Sequence, residues 1–387
     1  MRLIHTSDVH LDASFAGCGM PPSQGNWRRQ RLRELLLEIL RRAASWPADA
    51  VLIAGDLFCL GRLSRETVTF LREAFELVRP VPVLIAPGNE DPAVPASPYG
   101  IESWPPNVHI FECAEWTGWQ HPGAPLTIHG FGFDGPEPSR NPFGGLVIPE
   151  DGRVHVAVAH GSERTHLPPD KAPVAPFDAA SAAAPGLAYL ALGHYHNVLQ
   201  VTGGFDTHVW YSGAPEGHGF HETGPHHYLE IELDAETPPR VTVRPASVSR
   251  TTYVVRDLDC TALDTRDAVA DAIRALAQEA QGDVIARITL TGVCPPALRE
   301  SFRAIREAVS DACTFLDLLD ETEPAEAYEE LARAHTSLGL FVRRLNQQLA
   351  DSVEERRRRM LARAREVGLA AYRDSDVAIR SLEGNPR

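Results

Sequence analysis

The chain has 387 residues, 43% of them hydrophobic and 23% charged, which is the composition of a soluble globular protein with two or three domains. Its formal net charge of −15 excludes a broad basic surface for nucleic acid, so any phosphate-bearing ligand must be attracted locally, by metal ions or clustered arginines. No apolar run approaches the roughly 20 residues that cross a bilayer. The first residues have the pattern of a strand rather than a secretory leader, and six dispersed cysteines favour reduced thiols. A cytoplasmic location without membrane contact is therefore expected.

The first half of the chain alternates strands and helices. Apolar residues recur at helical spacing from Leu32 to Leu40, and Ser64 has the position of an N-cap for a helix over 65–78. Nearly continuous apolar runs predict strands that are buried on both faces. This alternation predicts a layered α/β domain. The predicted strands are residues 2–6, 50–54, 81–86, 108–111, 154–159 and 189–192.

The pattern changes near residue 251. Strands are predicted at 251–258, 284–292 and 313–319, and helices at 265–280 and 298–309, which together indicate a small α+β domain. After Pro324 the sequence is almost purely helical and includes the arginine run 356–359. We therefore predict three domains, with bounds 1–248, 249–322 and 323–387.

Five short polar motifs each follow an apolar run of the first half. Ligands of open α/β sheets bind beyond the carboxyl ends of the strands, so we expect these side chains to converge there. Each motif alone is weak, because an Asp-x-His pair or a single histidine is more often structural, but the conjunction is specific. The seven metal-competent side chains are Asp8, His10, Asp56, Asn89, His160, His194 and His196.

Seven such side chains suit two divalent cations. One cation would be held by Asp8, His10, Asp56 and His196, and the other by Asp56, Asn89, His160 and His194. Asp56 is the natural bridge, because a carboxylate can bind two ions about 4 Å apart. Imidazole and oxygen ligands suit manganese, iron or zinc. Since only two carboxylates offset four positive charges, the site would attract a phosphate diester, and a bridging hydroxide would attack phosphorus in line.

In this order, the motifs resemble those of the calcineurin-like metallophosphoesterases, over roughly residues 1–233. Within that class the chain is similar to the SbcD-type DNA repair exonucleases and their YhaO-like relatives, through IHTSDVHLD, GDLF and YSGAPEG after GHYH. The resemblance implies a two-sheet α/β metallophosphoesterase sandwich flanked by helices, with a smaller α+β capping domain and a helical C-terminal tail. It also implies a DNA nuclease that uses two divalent ions, most simply Mn²⁺. The implied assembly is a homodimer with an SMC-like ATPase partner of the SbcC or YhaN type.

Two residues depart from the family pattern. Glu90 stands where the family has a histidine that is thought to protonate the leaving oxygen, and Cys59 stands where the nuclease branch often has another histidine. A carboxylate beside two dications stays ionised, so Glu90 lacks the proton that general acid catalysis uses to gain ~10²–10⁴-fold in rate. His218 and His221 are alternative donors. Asp91 is predicted either to hold a neighbour in place or to cap a helix, and Cys59 to pack as a small thiol.

Three functions remain open on this sequence. The first is a DNA exonuclease or endonuclease, attenuated by Glu90. The second is a phosphatase or small-molecule phosphodiesterase at the same site, and the third is a catalytically impaired subunit that binds DNA ends for an ATPase. The residues that would contact DNA are unknown, because the arginines at 28, 29, 31, 33 and 356–359 fit a solvated face first, and an interface or a DNA contact as alternatives.

Overall fold

Two sheets form the frame of the first 250 residues in the computed structural model, which describes residues 1–167, 172–203, 206–234, 236, 239–280, 282–324 and 328–372. Within those ranges, each sheet has six strands, in the orders β12-β11-β1-β2-β3-β4 and β5-β6-β7-β8-β10-β9. The strands are β1 (Arg2–Thr6), β2 (Ala50–Ile53), β3 (Val83–Ile85), β4 (Val108–Ile110), β5 (Thr117–Gln120), β6 (Leu126–Gly130), β7 (Val154–His160), β8 (Leu187–Gly193), β9 (Leu199–Val201), β10 (His208–Tyr211), β11 (Tyr228–Leu233) and β12 (Val241–Ala246).

The centre of each sheet is parallel. Strands β1 to β4 run parallel, and β11 and β12 extend that sheet antiparallel at one side. In the second sheet β6, β7, β8 and β10 are parallel, and β5 and β9 are antiparallel edges. The carboxyl ends of the parallel strands of each sheet therefore lie at one edge, where ligands of α/β sheets bind.

Alternate residues of the central strands enter different cores. Leu3 and Leu52 pack with Ile128 and Val156 in one apolar cluster shared by the two sheets. Ile4 belongs to another cluster, which covers the outer face of the first sheet with residues of the helices. Because successive strand side chains point to opposite faces, both faces of these strands are buried. The predicted two-sheet α/β sandwich is confirmed.

The described residues form three α-helices beside these strands: α1 (Pro22–Ser45), α2 (Arg65–Leu77) and α3 (Pro98–Ile101). The Ser64 hydroxyl accepts a hydrogen bond from the Thr67 N–H at 3.1 Å, as an N-cap does, and α2 ends one residue before the predicted bound. The described residues of this part also form 3₁₀ turns at Ala16–Cys18, Leu60–Arg62, Arg164–His166 and Ala179–Ala182.

The remainder of the chain is α+β and then helical. Strands β13 (Thr251–Asp259), β14 (Asp283–Thr291) and β16 (Phe315–Asp320) form a sheet in that order, and β15 (Val293–Cys294) pairs with β17 (Glu323–Pro324). The helical C-terminal region is confirmed, and none of its described helices is long and apolar enough to cross a membrane. The helices are α4 (Arg266–Ala277), α5 (Pro296–Glu300), α6 (Phe302–Ala308), α7 (Tyr328–Arg333), α8 (Ser337–Asp351) and α9 (Glu355–Tyr372).

The predicted single helix over 298–309 is wrong. The chain forms α5 and α6 instead, separated at Ser301. The Ser301 hydroxyl donates to the Leu298 carbonyl at 2.6 Å, and the Ser301 N–H donates to the same carbonyl at 3.0 Å. Serine side chains that bond to nearby backbone carbonyls compete with the regular helical pattern.

The described contacts divide the chain into two compact units. One comprises Met1–Val255, Glu279–Arg287 and Cys313–Asp317, and the other comprises Arg256–Gln278, Ile288–Ala312 and Leu318–Arg387. Each unit takes residues from several stretches of the chain. This division therefore does not decide the predicted domain bounds at 248/249 and 322/323, which stay predictions.

Candidate metal centre

All seven predicted ligand residues lie at the carboxyl ends of strands. The loops after β1, β2 and β3 of the first sheet and the ends of β7 and β8 of the second sheet supply them. In strand order they are Asp8 and His10, Asp56, Asn89, His160, and His194 with His196. The motifs that are separated along the sequence are therefore brought to one place by the two parallel sheets.

The side chains form two groups of the kind that holds a metal ion. Asp8, His10 and His196 form one group, and a second group contains Asp56. The other members of the second group are His160 and His194, and within each group the ligand atoms lie within 4.8 Å of one another. This division is the one expected for two cations. The role of each residue as a metal ligand stays a prediction.

Asp56 lies between the two groups. Its Oδ2 atom is 3.7 Å from His10 Nε2 and 3.6 Å from His160 Nε2. Asn89 completes the second group, because its Oδ1 atom lies 3.0 Å from His160 Nε2. One carboxylate facing both groups is the arrangement that a bridging ligand needs.

Four of these residues have an unusual backbone conformation. The φ angles of Asp8, His10, Asp56 and His194 are 52°, 49°, 53° and 105°, a region that costs non-glycine residues about 1–3 kcal/mol each. The loops hold one another in this state, because the His10 N–H donates to the Asp56 carbonyl at 2.9 Å. Strain retained at so many residues of one loop cluster is typical of a functional site.

Two glycines let the loops approach the ligands closely. Gly55 has a φ of 83°, and a Cβ added there would lie 2.5 Å from His160 Nδ1. A Cβ on Gly88 would lie 2.4 Å from Asp56 Oδ1. Any side chain at either position would push into the cluster.

Asp91 holds the ligand loops in place through hydrogen bonds to their backbone. Its fully buried carboxylate accepts hydrogen bonds from the backbone N–H groups of Asp56 at 2.9 Å, Leu57 at 2.9 Å and Gly88 at 2.7 Å, and from the Tyr99 hydroxyl at 2.7 Å. Asp91 therefore fixes the loop that carries Asp56 and has a positioning role. The alternative that it caps a helix is wrong among the described residues, because all these backbone donors belong to loops.

Two of the imidazoles are oriented through their second nitrogen. His160 Nδ1–H donates to the Ala54 carbonyl at 2.9 Å, and His196 Nδ1–H donates to Glu222 at 2.6 Å. Burial alone would raise the pKa of Glu222, but the hydrogen bond from His196 holds it well below its usual range. Such partners fix the tautomer that leaves Nε2 free to bind a metal.

His218 lies beside the first group, and His221 lies further out. The His218 ring centroid is 5.1 Å from that of His10 and 5.6 Å from that of His196, and its Nε2–H donates to the Asp8 carbonyl at 3.3 Å. Burial lowers the pKa of His218 to about 3, so the ring is neutral near pH 7. His221 is exposed and pairs with Glu222 at 3.1 Å. Neither geometry favours the proton-donor role that the sequence left open.

Glu90 and Cys59 lie at the rim. The Glu90 side chain is exposed, although its N–H donates to Asp56 Oδ1 at 2.9 Å and its carbonyl accepts from the Leu60 N–H at 2.9 Å. Cys59 Sγ lies 3.8 Å from His10 Nδ1, and burial, with nearby carboxylates, raises the pKa of this thiol to about 12. The backbone at Glu90 is thus fixed by the site while its side chain is not.

The residues present fit two dications. Burial raises the pKa of Asp56 well above its usual value, and the neighbouring Asp8 and Asp91 carboxylates raise it further. Neighbouring buried carboxylates need positive charge beside them to stay ionised. Imidazole, carboxylate and amide oxygen donors together suit manganese, iron or zinc, and the metal identity stays a prediction.

Sequence reasoning did not identify Glu222 as a partner of His196, or Tyr99 as a partner of Asp91. Glu222 lies 26 residues from His196 and Tyr99 lies eight residues from Asp91, and neither belongs to a motif. A buried acidic residue beside a histidine cluster would have been a usable signal for Glu222 only after the fold was known.

Comparisons with known proteins agree with the site. The sequence profile of the calcineurin-like phosphoesterases matches residues 1–198, which include all seven candidate ligands. A curated protein of Bacillus subtilis (strain 168), named uncharacterized metallophosphoesterase YhaO, is 28% identical over 242 residues, which are 60% of this chain and 57% of that protein. The chain thus spans a little over half of that relative. The finer resemblance to SbcD-type nucleases stays a prediction. Because the profile covers just over half of its residues, the chain belongs to the calcineurin-like phosphoesterase family.

Proposed function

We propose that the chain is a two-metal phosphodiesterase that hydrolyses DNA, with the SbcD- and YhaO-type proteins as its nearest functional class. One observation carries the proposal: side chains at the carboxyl ends of four strands of two sheets form two metal-competent groups that meet at Asp56, and Asn89 after a fifth strand adjoins one of them. Structural metal sites are commonly single and closed. Two adjacent groups that share a carboxylate are typical of phosphoester hydrolysis.

The protein residues have definable parts in this reaction. Two bound dications would supply Lewis acidity and an activated water. Asp8 and Asp56 bring two negative charges against four positive ones, so the pocket keeps the net positive charge that a phosphate diester requires. Asp91 and the Ala54 carbonyl orient Asp56 and His160, so that the ligand atoms are in place before substrate binds.

Glu90 sets the expected limit on the rate. Its exposed carboxylate stands where the family has a histidine, so this position offers no imidazole to protonate the leaving oxygen. A nitrophenolate leaving group needs no protonation, whereas a DNA sugar oxygen does. We therefore expect slow cleavage of DNA relative to activated diesters.

Two alternatives use the same site. A phosphatase or small-molecule phosphodiesterase needs only the residues that the family profile covers, and residues 199–387 argue against so small a module. A DNA-end-binding subunit with structural metals is favoured by Glu90 and Cys59, because each stands where the nuclease family has a histidine. We rank the nuclease first, because the unfavourable backbone conformations of the ligand loops are typical of active sites.

Three further features belong to the proposal. Mn²⁺ is the expected metal, the chain is expected to form a homodimer, and an SMC-like ATPase of the SbcC or YhaN type is the expected partner in a cytoplasmic complex. These features follow from the resemblance of the motifs. Sedimentation of the chain alone and mixed with such an ATPase would test the assembly.

A substrate panel tests the function. The chain is stripped of metal, reloaded with Mn²⁺, and assayed on bis(4-nitrophenyl) phosphate, on 4-nitrophenyl phosphate and on end-labelled duplex DNA, with and without the ATPase. We expect Mn²⁺-dependent cleavage of the diester and of DNA that EDTA abolishes. Turnover of the monoester alone would establish the phosphatase instead. Two bound ions without turnover of any diester would establish the binding subunit.

A further inference from the structure

A pocket of about 600 Å³ opens beside the metal-ligand loops, and arginines dominate its charge. It lies where α1, the loop after His10 and the start of α2 meet. Its charged and polar lining includes Arg29, Arg33, Arg62, Asp12, Ser64 and Glu66. None of these residues belongs to the two metal-competent groups, so the pocket is a separate feature of the surface.

Two of the chain segments that line the pocket are joined directly to the metal-ligand loops. Asp12 is two residues after His10, so the two Cα atoms are within ~7 Å of each other. On the other wall, Arg62 ends the 3₁₀ turn Leu60–Arg62. The Leu60 N–H of that turn bonds to the Glu90 carbonyl at 2.9 Å. A ligand in the pocket would therefore lie next to whatever binds the cations.

Asp12, an acidic residue of the pocket wall, is engaged in contacts within the protein. Asp12 Oδ2 accepts from the Ser64 N–H at 2.8 Å and from the Thr67 hydroxyl at 2.7 Å, and its Oδ1 lies 3.5 Å from Arg33. Its side chain is only 7% exposed. Asp12 therefore holds Arg33 and the start of α2 in place, and its charge is offset within the protein.

The guanidinium groups of Arg62 and Arg29 are not neutralised by carboxylates of the described residues. Among the described residues, no carboxylate lies within 4.0 Å of the exposed Arg62 guanidinium. In the part of the chain that the structure describes, Arg29 donates to two neutral oxygens, the Asn26 side chain and the Ala13 carbonyl. Among the described lining residues, Glu66 is the single exposed carboxylate. The pocket is therefore net positive on a protein whose formal charge is −15.

We propose that this pocket binds a backbone phosphate of the DNA strand, next to the phosphate that is hydrolysed. The inference rests on the proposed function and names a second contact for the same substrate. Guanidinium groups match the oxygens of a phosphate and stay charged at any working pH. A DNA strand that places one phosphate on the cations must place its neighbour close by, and a small diester has no neighbour to place.

Binding without metal isolates the pocket from the reaction. A labelled oligonucleotide with a 5′-hydroxyl end is titrated in EDTA, with anisotropy as the readout, against wild type, Arg62→Gln, Glu66→Gln and Arg65→Gln. Arg65 is exposed, adjacent in sequence and outside the lining, so it is the matched control. We expect Arg62→Gln to weaken binding about tenfold, and Glu66→Gln to strengthen it roughly threefold. Arg65→Gln should stay within about twofold of wild type.

The salt dependence gives a second readout. Removing one phosphate contact should reduce the slope of log K against log salt by about 0.7–0.9, and Arg65→Gln should reduce it by less. Equal effects of Arg62→Gln and Arg65→Gln would overturn the proposal, as would a wild type that binds no DNA. A deficit that appears only with 5′-phosphorylated DNA would overturn the internal-phosphate assignment and place a terminal phosphate there.

Turnover separates this proposal from the proposed function. The ratio of kcat/KM on DNA to kcat/KM on bis(4-nitrophenyl) phosphate should fall about tenfold in Arg62→Gln and remain within about twofold in Arg65→Gln. If wild type cleaves DNA and the two variants behave alike, the nuclease stands and the pocket assignment falls. If Arg62-dependent binding is found without any cleavage, the pocket stands and the nuclease falls.

Discussion

The buried half of the metal centre and its exposed rim differ in how firmly the protein holds them. Asp8, Asp56 and His160 are buried, and their loops are bonded to one another and to Asp91. At the rim, Glu90 points its side chain into solvent, and Cys59 is only half-buried. Burial and several hydrogen bonds therefore hold the residues that would bind cations in position, whereas the side chains that would act on the leaving group are not held in this way.

This difference explains where the chain can depart from its family. A change at Asp56 or Gly88 disturbs several hydrogen bonds or contacts at once. A change of the Glu90 side chain disturbs none of the described backbone contacts, because only its N–H and carbonyl are used. Metal binding and proton donation are thus separable properties of this site, and variants can address each alone.

The largest effect is expected from Asp56→Asn, in the buried half. Loss of the shared carboxylate should prevent binding of both ions together, which removes several kcal/mol of transition-state stabilisation and lowers kcat/KM at least ~10³-fold. Metal content by mass spectrometry and turnover of bis(4-nitrophenyl) phosphate are the measurements. Asp271→Asn, on the exposed face of α4, is the control. Two bound ions in Asp56→Asn would show that Asp56 is not the bridge.

The rim is tested by Glu90→His. An imidazole here could protonate the leaving sugar oxygen, so DNA cleavage should rise by about 10²-fold, while cleavage of the nitrophenyl diester changes little. Because the backbone at this position is already fixed, the fold should tolerate the change. Glu90→Gln, which removes the charge without adding a proton donor, is the matched control. If wild type already cleaves DNA as fast as Glu90→His, the missing-acid explanation is wrong.

Asp91→Asn tests whether the buried half is held by this carboxylate. An amide cannot accept bonds on both sides, so at least one buried donor loses its partner, at about 1–3 kcal/mol in the free energy of unfolding. Metal affinity should fall about 10–100-fold. Tyr99→Phe removes one of the four donors and should have a smaller effect on both quantities. Urea unfolding and manganese titration measure them. Equal effects of the two variants would contradict the central role of Asp91.

The sequence was sufficient to predict which candidate ligand side chains come together, but not which residues support them. The ligand residues follow predictable buried strands, and the carboxyl ends of parallel strands meet at one edge. All six strands predicted in the first half of the chain are present, with ends shifted by at most two residues. Strands such as β5 and β12 were not predicted, because they are edge strands whose residues are mostly exposed or half-buried and lack a clear apolar pattern.

Supporting contacts depend on pairings across long sequence separations. His196 and Glu222 are 26 residues apart, and Asp91 accepts from the backbone of Asp56, 35 residues away. The same applies to the arginine pocket. Arg29 and Arg33 share a helical face by their spacing, but only the fold brings Arg62 to them. Local pattern predicts elements and the residues at their ends, and it contains no information about which loops face one another.

The smallest effect is expected in the pH dependence of stability and concerns His5, which lies on β1 just before the loop that carries Asp8 and His10. Its Nδ1 accepts from the Tyr189 hydroxyl at 2.9 Å and its Nε2–H donates to the Leu192 carbonyl at 3.1 Å, so it joins the two sheets. Burial lowers the pKa of His5 from 6.5 to about 3. The unfolded chain therefore takes up a proton below pH 6.5 that the folded chain refuses, and stability is lost as the pH falls from 6.5 towards 3.

Between pH 7 and pH 5 this loss amounts to about 2 kcal/mol in the free energy of unfolding of the metal-free protein. His5→Gln cannot titrate, so its unfolding free energy should fall by that much less than the wild type over the same interval, whatever its stability at pH 7. Urea unfolding at both pH values measures the difference, with His335→Gln, at an exposed position, as the control. Parallel pH dependences of the unfolding free energy in wild type and His5→Gln would contradict this prediction. They would mean that the His5 imidazole is protonated in the folded protein without loss of stability, so that water reaches it more readily than its contacts indicate.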